Sequence, residues 1–307
     1  MFLVCGEALY DLFASGDPDT PDIRFDGRIG GSPMNVAIGM ARLGLRTALL
    51  TGISTDMLGE RILAALTREG VETHLLRRTG RCTTLSLVGV DAAGHPSYAF
   101  YGADSADCGL TEADMPLLDE TITGLHFGSY AIAVAPVADA FAALAGRAGG
   151  RFISLDPNIR LTVEPDLDIW RQRVDAMRAR AALVKVSDED IALLYPDADP
   201  VAVVTAWAQD GPAMVVLTRG AEEVVAIRGD TQIRVPVAPV EVVDTVGAGD
   251  AFQASLLASI AIKDDPRAFL QTADTGTLRA ILARAARAAG IACSRRGADP
   301  ARLEELD

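Results

Sequence analysis

The chain is poor in lysine. Of its 28 basic residues only Lys185 and Lys263 are lysines; the rest are arginines. Neither follows a glycine-rich loop, so no G-x-x-x-x-G-K-S/T is present and a P-loop nucleotide site is excluded. Histidine is also scarce: His74, His95 and His126 form no H-E-x-x-H, and no G-x-S-x-G occurs. Metalloprotease and α/β-hydrolase chemistry lose their usual footholds. The four cysteines, Cys5, Cys82, Cys108 and Cys293, lie far apart without a C-x-x-C. That argues against a zinc knuckle or redox pair and for small buried hydrophobes in a reducing cytosol. No run of eighteen apolar residues exists, so no membrane span is expected. Met1–Glu7 lacks the basic region of a signal peptide and reads as a buried first strand, which points to the cytoplasm. Basic charge as a whole falls short of acidic charge, 28 against 42, for a net −14. Such a surface repels a phosphate backbone, and nucleic acid is not an expected partner.

What remains is ample for a large core: half of the 307 residues are apolar and 23% are charged. Short apolar runs alternate with amphipathic stretches. Met1–Ala8, Arg46–Thr51, Ile122–Phe127, Phe152–Asp156, Ala182–Val186 and Ala213–Thr218 read as buried strands. Pro33–Leu43, Met57–Arg68, Val137–Ala148, Asp168–Arg180, Val201–Gln209 and Leu278–Cys293 read as helices. The alternation predicts an α/β fold with a mostly parallel sheet and helices on both faces. Two stretches break the rhythm: Ile23–Ile29, and Thr83–Tyr101 with a turn at Asp91–Gly94. The second is a hairpin signature inside a parallel protein, suited either to a small separate sheet acting as a lid or to an antiparallel edge of the main sheet. Asp17–Asp22 is a polar, proline-containing loop.

The segment richest in chemistry is Val240–Phe252. A β-branched strand leads into Gly247-Ala248-Gly249, and Asp250 opens a helix over Ala251–Ile262. Small residues at a helix N-terminus leave backbone N–H groups bare and so make an anion site without lysine. A carboxylate beside an anion site is a liability in a binding loop. In a phosphotransferase it accepts the proton of the attacking hydroxyl. A plain N-cap would explain Asp250 but not the two glycines with it. A Rossmann reading of G-x-G lacks its third glycine and a second βα half. Gly30-Gly31-Ser32-Pro33-Met34-Asn35 forms another segment: a diglycine permits close approach to a ligand, and Asn35 is suited to a sugar hydroxyl, though a turn and cap would read the same. Asp156-Pro157-Asn158-Ile159-Arg160 follows a strand, where α/β enzymes bind ligands, and Arg160 suits a phosphate, a hydroxyl or a surface ion pair.

These segments in this order resemble the ribokinase-like (PfkB) family of carbohydrate kinases. Gly30-Gly31 through Asn35 to Ala41-Arg42-Leu43-Gly44 is similar to its amino-terminal signature, and Asp244-Thr245-Val246-Gly247-Ala248-Gly249-Asp250 to its carboxyl-terminal one. The resemblance covers essentially the whole chain. It implies one ribokinase-like three-layer α/β/α domain over 1–307, with a small β-sheet lid from about 12–30 and 83–104. It implies ATP- and Mg²⁺-dependent phosphorylation of a sugar hydroxymethyl group. By resemblance, Asp250 is the base and the backbone of Gly247, Ala248 and Gly249 the anion hole. Asp11, Gly30, Gly31 and Asn35 hold sugar hydroxyls, with Arg160 near the sugar or the transferred phosphate. Lys185, Ser187, Thr218, Arg219 and Gly220 with Gly249 serve ATP. Asp244 and Val246 offer carbonyls to a monovalent cation, K⁺, as in some members.

Within the family, Leu125–Ser129, Asp156–Arg160, Lys185–Asp190 and Arg295–Pro300 look most like bacterial fructokinases. Three places depart from the pattern. Ser187 and Asp190 stand where many members have an Asn and a Glu that organise Mg²⁺ through water. Ala286 or Arg287 stands where an Asn often lies near adenine. No arginine follows Tyr101. Fructose is the expected substrate. A 2-keto-3-deoxy sugar acid, ribose or a nucleoside, or binding without turnover, stay open, and a homodimer through a lid face bearing Leu85, Leu87, Phe100 or Tyr101 is expected.

Overall fold

Parallel strands buried on both faces need apolar residues in both phases of their alternation. Phe2 and Val4 pack into one core while Leu3 and Cys5 pack into another, and Met214 and Val216 divide from Val215 and Leu217 in the same way. The computed structural model describes residues 1–15, 22–90 and 96–306. Its main sheet has eight strands in the order Thr231–Pro236, Glu223–Arg228, Met214–Arg219, Leu183–Ser187, Phe152–Asp156, Gly124–Gly128, Phe2–Cys5, Thr47–Leu50. The strands from Met214–Arg219 to Thr47–Leu50 run parallel. One core contains Phe141, Trp170, Ile191 and Trp207, from the helices Val137–Gly146, Leu167–Arg178, Asp188–Leu194 and Pro200–Ala208. The other contains Met40, Leu66, Leu257 and Leu282, from Ser32–Arg42, Met57–Arg68, Ala248–Ile260 and Thr275–Cys293. This is the expected three-layer α/β/α sandwich. Among the described residues no helix is long and apolar enough to cross a membrane.

A second sheet of four strands has the order Arg24–Gly30, Leu9–Ser15, Leu85–Val90, Pro96–Tyr101. Leu9–Ser15 pairs antiparallel with Arg24–Gly30 and parallel with Leu85–Val90. Thus the single strand read over Met1–Ala8 ends at Cys5. Gly6, at φ +156°, turns the chain out of the main sheet and into the small one. The turn expected at 91–94 and the polar loop from 17, up to Asp22, lie outside the described residues. On this sheet Phe100 packs edge-on against Tyr130 at 5.1 Å between ring centroids, so it does not contribute to an outer face. Tyr101, Ile23 and Phe25 are exposed.

Two readings need correction. No strand leads into the glycine turn: Val240, Val242 and Val243 are exposed in an open loop. The sheet edge they would have joined is already taken by the hairpin Glu223–Pro236, and Pro239 removes a ladder donor. The antiparallel edge considered for Thr83–Tyr101 is supplied by that hairpin, whose strands meet across Gly229-Asp230. Second, Asp250 does not open its helix. Ala248 does, with Gly247 as the N-cap, and Asp250 falls in the first turn.

Asp56 ties the entry of the small sheet to the body. It caps Met57–Arg68 through Gly59 N–H at 2.7 Å, and accepts from Thr83 N–H at 2.8 Å and Thr83 Oγ1 at 2.7 Å. Burial pushes its carboxyl up, but these bonds outweigh it and hold it at about 2. Its contribution is therefore full above the ordinary 3.8 and lost as pH falls toward 2. Asp56→Ala is expected to cost about 1 kcal/mol near neutral pH, read from the urea midpoint. An unchanged midpoint would remove Asp56 from this role.

Candidate active site

The helix Ala248–Ile260 brings its N-terminus over the carboxyl ends of the parallel strands. Gly247 sits at φ +77°, and a β-carbon there would lie 2.6 Å from Ala298 Cβ, so the turn requires glycine on both counts. Ala251 N–H closes the first turn on Gly247 O at 2.9 Å, and Ala248 N–H donates to Thr245 O at 3.2 Å. Among the described residues no carbonyl takes the N–H of Gly249 or Asp250. Those bare donors, with the positive end of the helix, form an anion-binding corner. Of the expected anion-hole residues, Ala248 spends its N–H inside the turn.

Asp250 is only 8% exposed, and both its oxygens are held from the first turn of Ser32–Arg42. Ser32 Oγ donates to Oδ1 at 2.6 Å and Asn35 Nδ2 to Oδ2 at 2.8 Å. Asn35, expected at a sugar hydroxyl, is thus also a holder of Asp250. The helix that carries it has no side-chain cap of its own. Glu7 does that work: its Oε1 accepts Ser32 N–H at 3.3 Å. Glu7 is 2% exposed and its Oε2 has no partner among the described residues. Burial, with help from Asp107 and against Ser129 and Arg160, pushes its carboxyl up to about 8.

Asp11, Gly30 and Gly31 meet beside this corner. Leu9–Ser15 and Arg24–Gly30 pair so that Leu9 faces Gly30. A β-carbon on Gly30 would lie 2.3 Å from Asp11 Oδ2, and one on Gly31 would lie 2.7 Å from Glu7 O. Glycine makes room for a carboxylate in the first case and for backbone in the second. Burial raises the Asp11 carboxyl, opposed by Ser86 and Arg160 and aided by the charge of Asp250. Asp11, Glu7, Arg160 and Asp250 therefore share one electrostatic neighbourhood at the sheet's carboxyl edge.

The residues expected at the nucleotide lie along neighbouring strand ends. Ser187 caps Asp188–Leu194 by a reciprocal box with Asp190. Asp190 Oδ2 accepts from Ser187 Oγ at 2.7 Å and Ser187 N–H at 3.2 Å, and its Oδ1 accepts Ile159 N–H at 2.8 Å. Thr218 and Arg219 end Met214–Arg219, with Gly220 at φ +50° in the turn beyond. Arg219 is paired with Glu222 and Glu223 at 3.1 and 3.0 Å. Asp244 Oδ2 accepts Gly297 N–H at 2.8 Å and its Oδ1 accepts Val246 N–H at 3.1 Å, which pins the approach to the turn. Lys185 is not on an open shelf. It is 4% exposed and ion-paired to Asp156 at 2.9 Å. No group of three or more His, Cys, Asp or Glu side chains that could hold a metal occurs among the described residues.

The pattern of the pfkB family carbohydrate kinases matches residues 2–305. The chain belongs to that family: it is a carbohydrate kinase, a phosphotransferase acting on an alcohol group. Its relatives place it more narrowly, as a fructokinase-like sugar kinase. It is 39% identical over 261 residues to a fructokinase of Rhizobium leguminosarum bv. trifolii, covering 85% of this chain and 79% of that protein. The crystal structure of fructokinase with bound ATP from Xylella fastidiosa superposes with a TM-score of 0.89 at 28% identity, covering 99% of this chain and 96% of that one. A double-mutant fructokinase from Vibrio cholerae O395, solved with fructose, ADP and potassium ion, gives 0.83 at 26% identity, over 99% and 94% of the two chains.

Glu7 yields a pH test. Its folded value lies above the ordinary 4.5, so the native state keeps a proton that the unfolded chain sheds. Its contribution to stability then falls as pH rises from about 4.5 to about 8. Glu7→Gln keeps an acceptor for Ser32 and has no such slope. Urea midpoints at pH 5 and pH 8 are expected to show the variant gaining on the wild type by a few kcal/mol. Parallel slopes would count against a protonated Glu7.

Proposed function

We propose that this chain transfers the γ-phosphoryl group of ATP to a sugar hydroxymethyl group, with D-fructose as acceptor and fructose 6-phosphate as product. The observation that carries the reading is the buried Asp250 carboxylate, fixed by Ser32 and Asn35 beside the bare N–H groups of Gly249 and Asp250. Each Asp250 oxygen accepts one hydrogen bond and keeps a lone pair for an incoming hydroxyl. The hydroxyl proton passes to Asp250 as the sugar oxygen bonds to phosphorus. The bond to the β-phosphate oxygen breaks, and ADP leaves with that electron pair. The Gly247–Asp250 turn steadies charge on the moving group through fixed backbone dipoles, which need no reorganisation.

On this reading Asp11, Gly30, Gly31 and Asn35 hold the sugar, with Arg160 beside its hydroxyls or the transferred phosphate. Ser187, Thr218, Arg219 and Gly220 line the nucleotide side. The small sheet carries Asp11 over the acceptor and excludes water as a lid. Mg²⁺ supplies positive charge on the nucleotide phosphates, and Asp190 suits contact through water, since its oxygens already accept hydrogen bonds from Ser187 and Ile159. Asp244 and Val246 offer carbonyls to K⁺. A homodimer through the small sheet, where Ile23, Phe25 and Tyr101 are exposed, completes the reading, in the cytoplasm.

Asp250→Ala is expected to lower kcat by roughly 10²–10⁴-fold with the fold intact. A variant as active as wild type removes Asp250 as the base. The assay is ADP release from ATP and Mg²⁺ over a panel of fructose, ribose, 2-keto-3-deoxy sugar acids and nucleosides. Fructose is expected to give the highest kcat/KM. Another acceptor in first place would replace fructose, and no turnover with any would leave a binding protein. Light scattering at micromolar concentration checks the dimer, and a monomer mass would end that part of the reading.

A further inference from the structure

Asp250 and the anion-binding corner lie at the carboxyl ends of the parallel strands. A second cleft opens at their amino ends. It measures about 600 Å³, the size of a small-molecule site and more than a bare phosphate needs. The strand order explains its walls. Phe152–Asp156 and Leu183–Ser187 are neighbours in the sheet, so the turns that enter them lie side by side and bring Arg151 and Arg180 together. The loop after Ala248–Ile260 adds Lys263 and Arg267. Four cations thus face one cleft in a chain of net charge −14. Among the described residues none of the four has an ion pair. Arg178, two residues before Arg180, is by contrast paired with both Asp175 and Asp210, at 2.9 and 3.3 Å. Arg151 spends its guanidinium on the carbonyls of Leu118, Asp119, Ile122 and Ala148, and Arg267 donates to Gly211 O at 2.9 Å. Carbonyls orient a guanidinium without cancelling its charge. Lys263 lies over the Phe269 ring at 4.9 Å, which steadies the ammonium and leaves its N–H groups to a ligand. Arg180 is exposed. Two carboxylates, Asp264 and Asp265, share the lining, which leaves an excess of two positive charges. Asp265 is already committed as the cap of Pro266–Thr272, accepting Ala268 N–H at 2.9 Å.

We propose that this cleft is a binding site for a phosphate monoester of sugar size, distinct from the site of phosphoryl transfer and independent of which acceptor that transfer uses. A monoester carries about −1.5 to −2 charges at neutral pH, which matches the excess of cations. Guanidinium forks from two turns suit its oxygens, and the Lys263 ammonium adds a point charge. The space beyond the phosphate takes the carbon skeleton, with the Asp264 carboxylate free to accept from its hydroxyls. Asp250 in the first turn and Ala261 at the cleft lie at opposite ends of one helix, roughly 16 Å apart along its axis, so the cleft is no extension of the site above.

The probe is D-glucose 6-phosphate, titrated calorimetrically without nucleotide into the full chain. Wild type is expected to bind it with a Kd below about 1 mM. The variant Arg180→Gln with Lys263→Gln removes two exposed cations and is expected to melt like wild type while binding at least roughly tenfold more weakly. The charge reversal Lys263→Glu, also at an exposed position, gives a second variant with the same expected loss. Inorganic phosphate and unphosphorylated D-glucose are each expected to bind at least roughly tenfold more weakly to wild type than the monoester does. No binding of the monoester to wild type overturns the proposal. So does equal binding by wild type and both variants, which would put the ligand elsewhere, at the anion-binding corner included. Inorganic phosphate binding as tightly as the monoester overturns the monoester class, and glucose binding as tightly overturns recognition of the phosphate.

Discussion

Everything at the site depends on two hydrogen bonds that cross most of the chain. Ser32 and Asn35 reach Asp250 from 218 and 215 residues away. A carboxylate in the first turn of a helix is easily satisfied by that helix's own N–H groups. Here it is turned instead toward a second helix, and the packing of Ala248–Ile260 on Ser32–Arg42 enforces this. Gly39 lets the two helices close so tightly that a β-carbon there would lie 2.6 Å from Ala254 Cβ. Ser32 in turn is set by Glu7, whose buried carboxyl takes the place of the missing N-cap. The chain of causes runs from Glu7, just past the first strand, through the start of the first helix, to the Asp250 carboxylate. Its members are polar and enclosed, so each is costly to leave unpaired.

The layered fold was legible because its signal is periodic. Strands that must be apolar in both phases and helices that must be apolar on one stripe differ in period, and no tertiary knowledge is needed to tell them apart. Met57–Arg68 was readable to the residue. The hairpin Glu223–Pro236 was missed although Gly229-Asp230 stands between a continuous apolar run, buried over Val224–Ile227, and an alternating one with Ile233 and Val235 buried and Arg234 exposed. The opposite error, a strand at Val240–Val243, came from trusting β-branched residues that stay exposed and pair with no strand.

At the site, residue types that advertise themselves were found: the glycines, Asp250 and Asn35. Those that act through others were not. Glu7, Ser32 and Asp156 carry no local pattern, since their importance lies in contacts 25, 218 and 29 residues away. Ser32 and Asp156 stood inside segments already singled out, and the scarcity of lysine drew attention to Lys185, which lies in the middle of the strand Leu183–Ser187.

The contact of Gly247 with Ala298 bears on when the site comes into being. The glycine turn is braced by Asp244 on Gly297 and by Val243 and Asp244 on the carbonyl of Cys293. The partners in all these braces are Cys293, Gly297 and Ala298, some fifty residues after the turn. A polypeptide emerging amino-terminus first can pair its early strands, and can even dock the small sheet, well before residues 293–298 leave the ribosome. Until they do, the turn lacks its far wall.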